Sequence, residues 1–438
     1  MTDSPSKAIS RFALPMVVGS LFQQVYTLVD SAVVGRFVGE AALASIGASF
    51  ALTTIFICIG VGGGAGASVL IARYFGARDY KRMKTAIFTS LTGFLALSLV
   101  LSIFGLVFSK NLMEILHTPA EILDMAVLYL NIYFYGLPFL FMYNIISALY
   151  QALGESKIPL YFLIFSSVLN VILDIYFVRD LNFGLAGAAY ATLLAQGISA
   201  VLSFLFFIRK IRKTGIENTE YFDKKELKLL TRLAIPSIVQ QSTITIGQLI
   251  VQSVVNSFGV EILAGFSAAF RVESLVIVPI TSLGNAVTSY TSQNVGAGKL
   301  NRLAKGLRAS LLMVFGYSLI VLIILRNNYS TIIEFFMNEN ASRLAIETGL
   351  AYLNFIGFFF ILVGSKHCVD GILRGLGDVR VFTFANIVNL FIRVSLSMAL
   401  AHKIGIEMVW YSVPLGWLAN LIISSIYYSK INKNEYKL

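Results

Sequence analysis

The stretch QQVYTLVD, residues 23–30, lies inside an apolar run that covers residues 12–34. That run is long enough to cross a lipid bilayer as one helix, so the carboxylate of Asp30 lies at membrane depth. Gln23, Tyr26 and Asp30 are spaced i, i+3 and i+7 and therefore share one face of the helix. An ionisable side chain there is costly and usually faces a bundle interior or a water-filled cavity. We interpret Asp30 as a functional residue, with packing against a neighbouring helix as the alternative.

The composition excludes a soluble enzyme. Of the 438 residues, 57% are hydrophobic and 13% are charged, and the mean hydropathy is +0.78. Soluble domains carry about 25% charged residues. The two cysteines, Cys58 and Cys368, lie in apolar runs and predict neither a disulfide framework nor a metal site. The net charge of +11 does not indicate nucleic-acid binding, because the basic residues fall in alternate loops and form no soluble basic domain.

The hydropathy pattern predicts an all-α polytopic membrane protein with twelve transmembrane helices. Several apolar segments exceed the roughly 20 residues that a span needs, so we expect tilt or extension beyond the bilayer. The predicted spans are 12–34, 44–72, 86–108, 126–149, 158–178, 185–208, 233–256, 263–293, 305–326, 345–372, 381–402 and 406–428.

The distribution of lysine and arginine predicts the orientation in the membrane. The N-terminus, the segments after even-numbered helices and the C-terminal tail hold 25 of the 34 basic residues, and the opposite set of loops holds six. Both termini should therefore be cytoplasmic, in a multi-pass protein of the cell inner (plasma) membrane. We interpret the basic loops as orientation signals that lie next to anionic lipid.

The two halves of the chain repeat one another. The corresponding segments are RFALP (11–15) and RLAIP (232–236), LASIGASF (43–50) and LAGFSAAF (263–270), ARYFGARDYKRM (72–83) and SQNVGAGKLNRL (292–303), and LYQALGESK (149–157) and ILRGLGDVR (372–380). Six helices per half is an even number, so both halves insert in the same sense. We predict two six-helix lobes related by a pseudo-two-fold axis along the membrane normal. The predicted divisions are an N-terminal lobe at 1–208, a cytoplasmic linker loop at 209–232 and a C-terminal lobe at 233–438.

Three motifs, in order along the chain, resemble a known family. They are LVDSAVVGRFVGEAALASIG near the start, SQNVGAGK after helix 8 and ILRGLGD after helix 10. They are similar to the multidrug and toxic compound extrusion (MATE) transporters, over nearly the whole chain, and the first half resembles the DinF branch more than the NorM branch. Helix 7 lacks the acid of the NorM branch, which argues against a NorM-type cation site in the second half. The resemblance implies an antiporter, not an enzyme, that exports organic cations or drugs in exchange for H⁺ or Na⁺.

The resemblance also implies which residues couple transport to an ion. The cation-coupling set would be Asp30 and Tyr26 of helix 1, Asn170 and Asp174 of helix 5, and Thr192 of helix 6. Tyr129 resembles a tyrosine of helix 4 that lies near this set.

The residue types and spacing support such a site independently. Asn170 and Asp174 are i, i+4 and share a helix face. At about 1.5 Å per residue, Asp30 and Asp174 each lie roughly 25 Å from the cytoplasmic start of their helices, hence in the outer half of the membrane. The oxygens of Asp30, Asn170, Asp174 and Thr192 form a hard-oxygen set that can bind Na⁺. The two carboxylates can equally share a proton, and the sequence does not choose between the ions or imply another cofactor.

The acidic set occurs in one half only. Val251, Arg393 and Ser397 occupy the positions that correspond to Asp30, Asn170 and Asp174. A purely architectural role would more readily recur in both halves.

Polar residues elsewhere predict a cavity lining and one ion pair. The predicted substrate-cavity residues are Gln23, Tyr129, Gln241, Gln248, Gln252 and Glu273. For the glutamine stripe of helix 7, interhelical hydrogen bonding is an equal alternative. Lys366 and Asp370 are i, i+4 and should neutralise one another.

Two other functions remain open at this point. A flippase of lipid-linked precursors from the same superfamily would have extra helices and a basic central cavity, so twelve helices and an acidic first half favour the exporter. An intramembrane enzyme would need a nucleophile and base, or metal ligands, at one depth, and the sequence has neither. The expected partners are small organic cations and the lipid bilayer, not nucleic acid, and we expect a monomer.

Overall fold

The structure, a computed structural model, describes residues 3–213, 220–337 and 341–431. Within these ranges the chain is almost wholly helical, as predicted, because a backbone in lipid must satisfy its own hydrogen bonds. Its long helices are α1 (Pro5–Phe37), α2 (Glu40–Ala77), α3 (Tyr80–Ile115), α4 (Ala120–Ala152), α5 (Lys157–Asp180), α6 (Gly184–Arg212), α7 (Lys224–Asn256), α8 (Val260–Gly296), α9 (Asn301–Phe336), α10 (Arg343–Gly375), α11 (Val379–Ile404) and α12 (Glu407–Lys430).

The twelve predicted spans match these helices. Eleven lie wholly inside an observed helix, and the last begins one residue before α12. By length and composition, eleven of the described helices can cross a membrane. The exception is α7, because its glutamines, among them Gln241, Gln248 and Gln252, lower the hydropathy of the helix.

The sequence repeat is visible in the backbone. Gly39 precedes α2 with φ of 107°, and its counterpart Gly259 precedes α8 with φ of 99°. Gly154 follows α4 and Gly377 follows α10, with φ of 88° and 72°. Positive φ favours glycine, which lacks a Cβ. Both halves therefore make their sharp turns at corresponding positions.

The compact units defined by packing have different boundaries from the two halves defined by the sequence repeat. One compact unit, called here the first unit, is Val18–Ile238, and the second unit combines Met1–Val17 with Val239–Leu438. Each boundary lies two residues after a proline inside a helix, Pro15 in α1 and Pro236 in α7. Of the predicted linker 209–232, residues 214–219 lie outside the described residues. The predicted lobe limits follow the repeat and stay a prediction.

The start of α7 packs against a glycine face of α2 in the first unit. A Cβ on Gly62 would lie 2.6 Å from Cα of Ile238, and one on Gly66 would lie 2.4 Å from Cα of Ala234. Only glycine allows two helix backbones to approach so closely. The start of α1 packs within the second unit in a corresponding way, where Ile9 is buried among apolar residues of α8.

Candidate functional site

Two acids from different helices meet in the first unit. The carboxyl groups of Asp30 on α1 and Asp174 on α5 lie within hydrogen-bonding contact. Asp174 is fully buried and Asp30 is half-buried. Because an ionised carboxylate can only accept hydrogen bonds, this contact requires a proton or a cation between the two groups. The fold thus joins two acids that are 144 positions apart in the chain.

Asn170 connects the acids to the neighbouring helices. In the orientation that satisfies both ends of its amide, the nitrogen donates to Asp174 Oδ2 over 2.8 Å and to the Tyr26 hydroxyl over 3.0 Å. Its oxygen accepts from the backbone N–H of Thr192 over 3.1 Å and lies 3.2 Å from the Thr192 hydroxyl. Asn170 is buried and one helical turn before Asp174. It therefore ties α5 to α1 and α6 and holds the Asp174 carboxyl in place.

Two carboxylate oxygens at this site have no donor. Asp30 Oδ1 and Asp174 Oδ1 are buried and receive no hydrogen bond from the described residues, apart from a proton that the pair itself would hold. A buried unsatisfied carboxylate oxygen is energetically unfavourable. Both oxygens therefore retain the capacity to accept a proton or to coordinate a cation.

Tyrosine side chains surround the pair. Tyr26 hydrogen-bonds the side chain of Thr192 and lies close enough to both acids to feel their charge. Tyr129 of α4 is also within electrostatic range of Asp30 and Asp174. The six residues that the family resemblance placed near the coupling site therefore converge in the structure. Their role in coupling stays a prediction.

The helix geometry changes immediately after Asp174. The α-helical part of α5 ends at this residue, and Ile175–Asp180 continue as a π-helical turn. Such wide turns are rare in proteins, and those that do occur often lie at functional sites. Val178 of this turn is buried beside Val34 and Leu185, which fixes the turn against α1 and α6. The spacing of residues gave no indication of this irregularity.

The other predicted cavity residues are distributed differently. Gln23 and Gln248 are exposed, and Gln241 and Gln252 are half-buried. Gln252 donates to Asn256 Oδ1 over 3.1 Å, a bond within α7 itself. Glu273 is buried in the second unit and accepts a short hydrogen bond from the Tyr352 hydroxyl. None of these contacts tests a role in substrate binding, which stays a prediction.

The corresponding positions of the second half have another chemistry. Val251 is buried in the apolar core of the second unit. Ser397 is buried and shares a 2.9 Å hydrogen bond with Ser412. Arg393 lies within electrostatic range of Glu273. The second half therefore has a cation at the position of the amide Asn170, and uncharged residues at the positions of the two acids.

The predicted pair of Lys366 and Asp370 is confirmed as a salt bridge. Lys366 Nζ lies 3.0 Å from Asp370 Oδ2, and both side chains are buried. Sequence analysis missed the groups that complete this network. Asn386 Oδ1 accepts from Lys366 over 3.1 Å, and the Ser424 hydroxyl donates to Asp370 Oδ1 over 3.1 Å. Asn386 and Ser424 lie on other helices, α11 and α12, so residue spacing along α10 could not reveal them.

Comparison with known proteins gives one consistent relationship. The sequence profile of the MatE family matches residues 15–176 and 236–399, one match in each half. The probable multidrug resistance protein YoeA of Bacillus subtilis (strain 168) is 29% identical, over 98% of this chain and 94% of that protein. The multidrug export protein MepA of Staphylococcus haemolyticus (strain JCSC1435) is 22% identical, over 96% of this chain and 93% of that protein.

Solved structures share the fold. An outward-facing conformation of a multidrug resistance MATE family transporter of the MOP superfamily superposes with a TM-score of 0.87 and 25% identity. The superposition covers 97% of this chain and 95% of the other. The similarity therefore extends over both halves and includes the helices that form the Asp30–Asp174 site.

Proposed function

The chain belongs to the MatE family of membrane transporters, and we propose that it is a secondary active antiporter that exports organic cations in exchange for H⁺ or Na⁺. The observation that carries the proposal is the contact between Asp30 and Asp174, two acids at membrane depth with unsatisfied oxygens. The names of its relatives, a multidrug resistance protein and a multidrug export protein, support drugs as the exported class.

In this proposal, protonation of the acid pair is the coupling event. With both carboxyls ionised, the pair attracts cations strongly, since it lies in a low-dielectric environment. Uptake of a proton lowers the negative charge and weakens that attraction. An organic cation and the coupling ion then compete for the same negative charge, and this competition links export of one to import of the other. Asn170, Tyr26 and Thr192 act as supporting ligands that position the carboxyls.

We take H⁺ as the coupling ion to test first. A sodium ion takes oxygen ligands, and in the amide orientation assigned from its hydrogen-bond partners the oxygen of Asn170 faces Thr192 while its nitrogen faces Asp174 and Tyr26. Binding of Na⁺ with Asn170 as a ligand would require this amide to turn and break four contacts. A shared proton requires no such change. Na⁺ remains the alternative coupling ion.

Separate ion gradients test the proposal directly. We expect proteoliposomes with the purified protein to transport ethidium under a H⁺ gradient without Na⁺, and to show little transport under a Na⁺ gradient at equal pH on both sides. Transport driven by the Na⁺ gradient alone would replace H⁺ by Na⁺ as the coupling ion. Transport that needs neither gradient would contradict antiport.

The charge distribution supports the proposed topology. We place both termini and the segment around Lys213 on the cytoplasmic side of the plasma membrane, with the two lobes alternating access to the two sides. A cysteine at Lys213 should be unreactive toward an impermeant thiol reagent in intact cells, and one at Lys110 should react. The native Cys58 and Cys368 are buried and contribute little background. Labelling of Lys213→Cys from outside would reverse the orientation.

A further inference from the structure

The second unit has a groove that the proposed antiport does not use. It has a volume of about 490 Å³ and lies between α9, α10 and α12. This volume is within the roughly 300–1,000 Å³ that small-molecule sites usually have. Leu311, Phe315 and Ile361 form apolar walls, and Arg308, Ser365 and Tyr428 are its polar members. All of these helices are long and apolar enough to cross a membrane, so the groove is at membrane depth.

Arg308 and Tyr428 lie nearer the membrane surface than the large apolar members of the groove. Arg308 lies seven residues after the start of α9, or about 10 Å along the helix, and Tyr428 lies two residues before the end of α12. Phe315 lies about 21 Å from the start of α9, and Ile361 lies about 21 Å from the end of α10. The groove therefore has its arginine and its tyrosine near the membrane surface and its aromatic and branched apolar side chains deeper.

Within the described ranges, two polar groups lie at the opening without a protein partner that neutralises or bonds them. The Tyr428 hydroxyl is buried and has no hydrogen-bond partner among the described residues. Arg308 is exposed and forms no ion pair with any acid in the described part of the chain. A buried hydroxyl without a partner is unfavourable, so a ligand atom that accepts its hydrogen bond is stabilised there.

We propose that this groove binds one phospholipid with an anionic headgroup. One acyl chain would lie along Leu311, Phe315 and Ile361, and the phosphate would bind the guanidinium of Arg308. A small shift of the Tyr428 side chain would let its hydroxyl donate to a phosphate or glycerol oxygen. Long basic side chains near helix ends reach toward the interface in this way. Basic pockets between helices at the cytoplasmic surface are known to suit anionic lipid headgroups. The proposal does not depend on the antiport function.

Native mass spectrometry of the full-length protein in detergent tests the proposal. The probes are phosphatidylglycerol, phosphatidylcholine with the same acyl chains, and glycerol phosphate without chains. We expect one phosphatidylglycerol to bind in preference to phosphatidylcholine, and glycerol phosphate to bind weakly. Arg308→Gln should weaken phosphatidylglycerol binding about fivefold, as roughly 1 kcal/mol per basic residue near the membrane surface implies. Ser365→Phe, which places a ring in the groove, should weaken both phospholipids.

The matched control is Lys305→Gln, which removes one exposed positive charge from the same helix outside the groove. It should leave phosphatidylglycerol binding within twofold of the unaltered protein. Equal losses in Lys305→Gln and Arg308→Gln would show a diffuse charge effect and overturn the site. Equal binding of the two phospholipids, or of glycerol phosphate and phosphatidylglycerol, would likewise overturn it. Unchanged lipid binding in both Arg308→Gln and Ser365→Phe would place the lipid elsewhere.

Discussion

The two halves of this chain have the same sequence of helices but different chemistry at one set of corresponding positions. In the first half, Asp30 and Asp174 share a contact in which two carboxylate oxygens lack a donor. In the second half, Val251 lies in an apolar core, and the Ser397 hydroxyl shares a hydrogen bond with the Ser412 hydroxyl. The fold therefore does not require acids at these positions.

The second half shows what a structurally satisfied buried acid looks like. Asp370 has a lysine at 3.0 Å and a serine donor at 3.1 Å, so its charge is compensated by the protein itself. Asp30 and Asp174 lack a basic partner among the described residues. A buried charge without a protein partner destabilises the folded protein. Such residues typically occur in membrane proteins where an ion from solution binds to them. The following experiments test this contrast.

The largest effect is expected at the first-half acids. Asp30→Asn or Asp174→Asn removes the charge and the titration while it keeps the size of the side chain. Ion-driven efflux should fall to the background of empty vesicles, and the double variant should be little worse than either, because the residues act as one unit. The thermal midpoint should not fall, since a neutral amide is cheaper to bury than a charge. Normal efflux in Asp30→Asn would move the coupling site elsewhere, with Glu273 as the next candidate.

At the second-half acid we expect the reverse outcome. Asp370→Asn leaves Lys366 buried without its ion-pair partner, which should lower the free energy of unfolding by about 3–5 kcal/mol. Efflux per folded molecule should stay near normal. Thermal unfolding of the purified protein and efflux corrected for protein amount separate the two effects. If Asp370→Asn abolished efflux without loss of stability, the two halves would both carry coupling acids.

The halves also differ at the glycine face of α2. Gly66 corresponds to Ala286 in the repeat, so Gly66→Ala gives the first half the residue of the second. The added methyl group would lie 2.4 Å from Cα of Ala234, and the resulting overpacking should cost about 1–3 kcal/mol. Gly47→Ala is the control, because no atom lies within 4 Å of its Cβ position. Equal stability of both variants would mean that α2 and α7 separate easily at this contact.

The smallest effect is expected at Arg179, which corresponds to His402. Arg179 Nε lies 2.8 Å from Asp180 Oδ1, and both side chains are about half exposed. Exposed ion pairs contribute little to stability, because water and salt screen them. Arg179→Gln should therefore change the thermal midpoint little, and the difference should vanish at high salt. A clear fall in the thermal midpoint at both salt concentrations would instead show that the π-helical turn after Asp174 depends on this pair.

The sequence by itself determined the helical class and the twelve long helices, and it predicts the depth of the two acids. These follow from local properties, since about 20 apolar residues in lipid must form a helix and each residue advances it by about 1.5 Å. The repeat also predicted which half holds the acids. Helical spacing placed Asn170 and Asp174 on one face, and the structure agrees.

Only the tertiary structure decided how those faces meet. The direction of the Asn170 amide depends on Tyr26 and Thr192 from two other helices, and the π-helical turn after Asp174 depends on burial of Val178 among residues from elsewhere. Likewise, the start of α7 packs in the first unit because Gly62 and Gly66 of α2 leave room for its backbone. Residue spacing fixes positions within one helix, but rotation and distance between helices are set by side chains that are far apart in the chain.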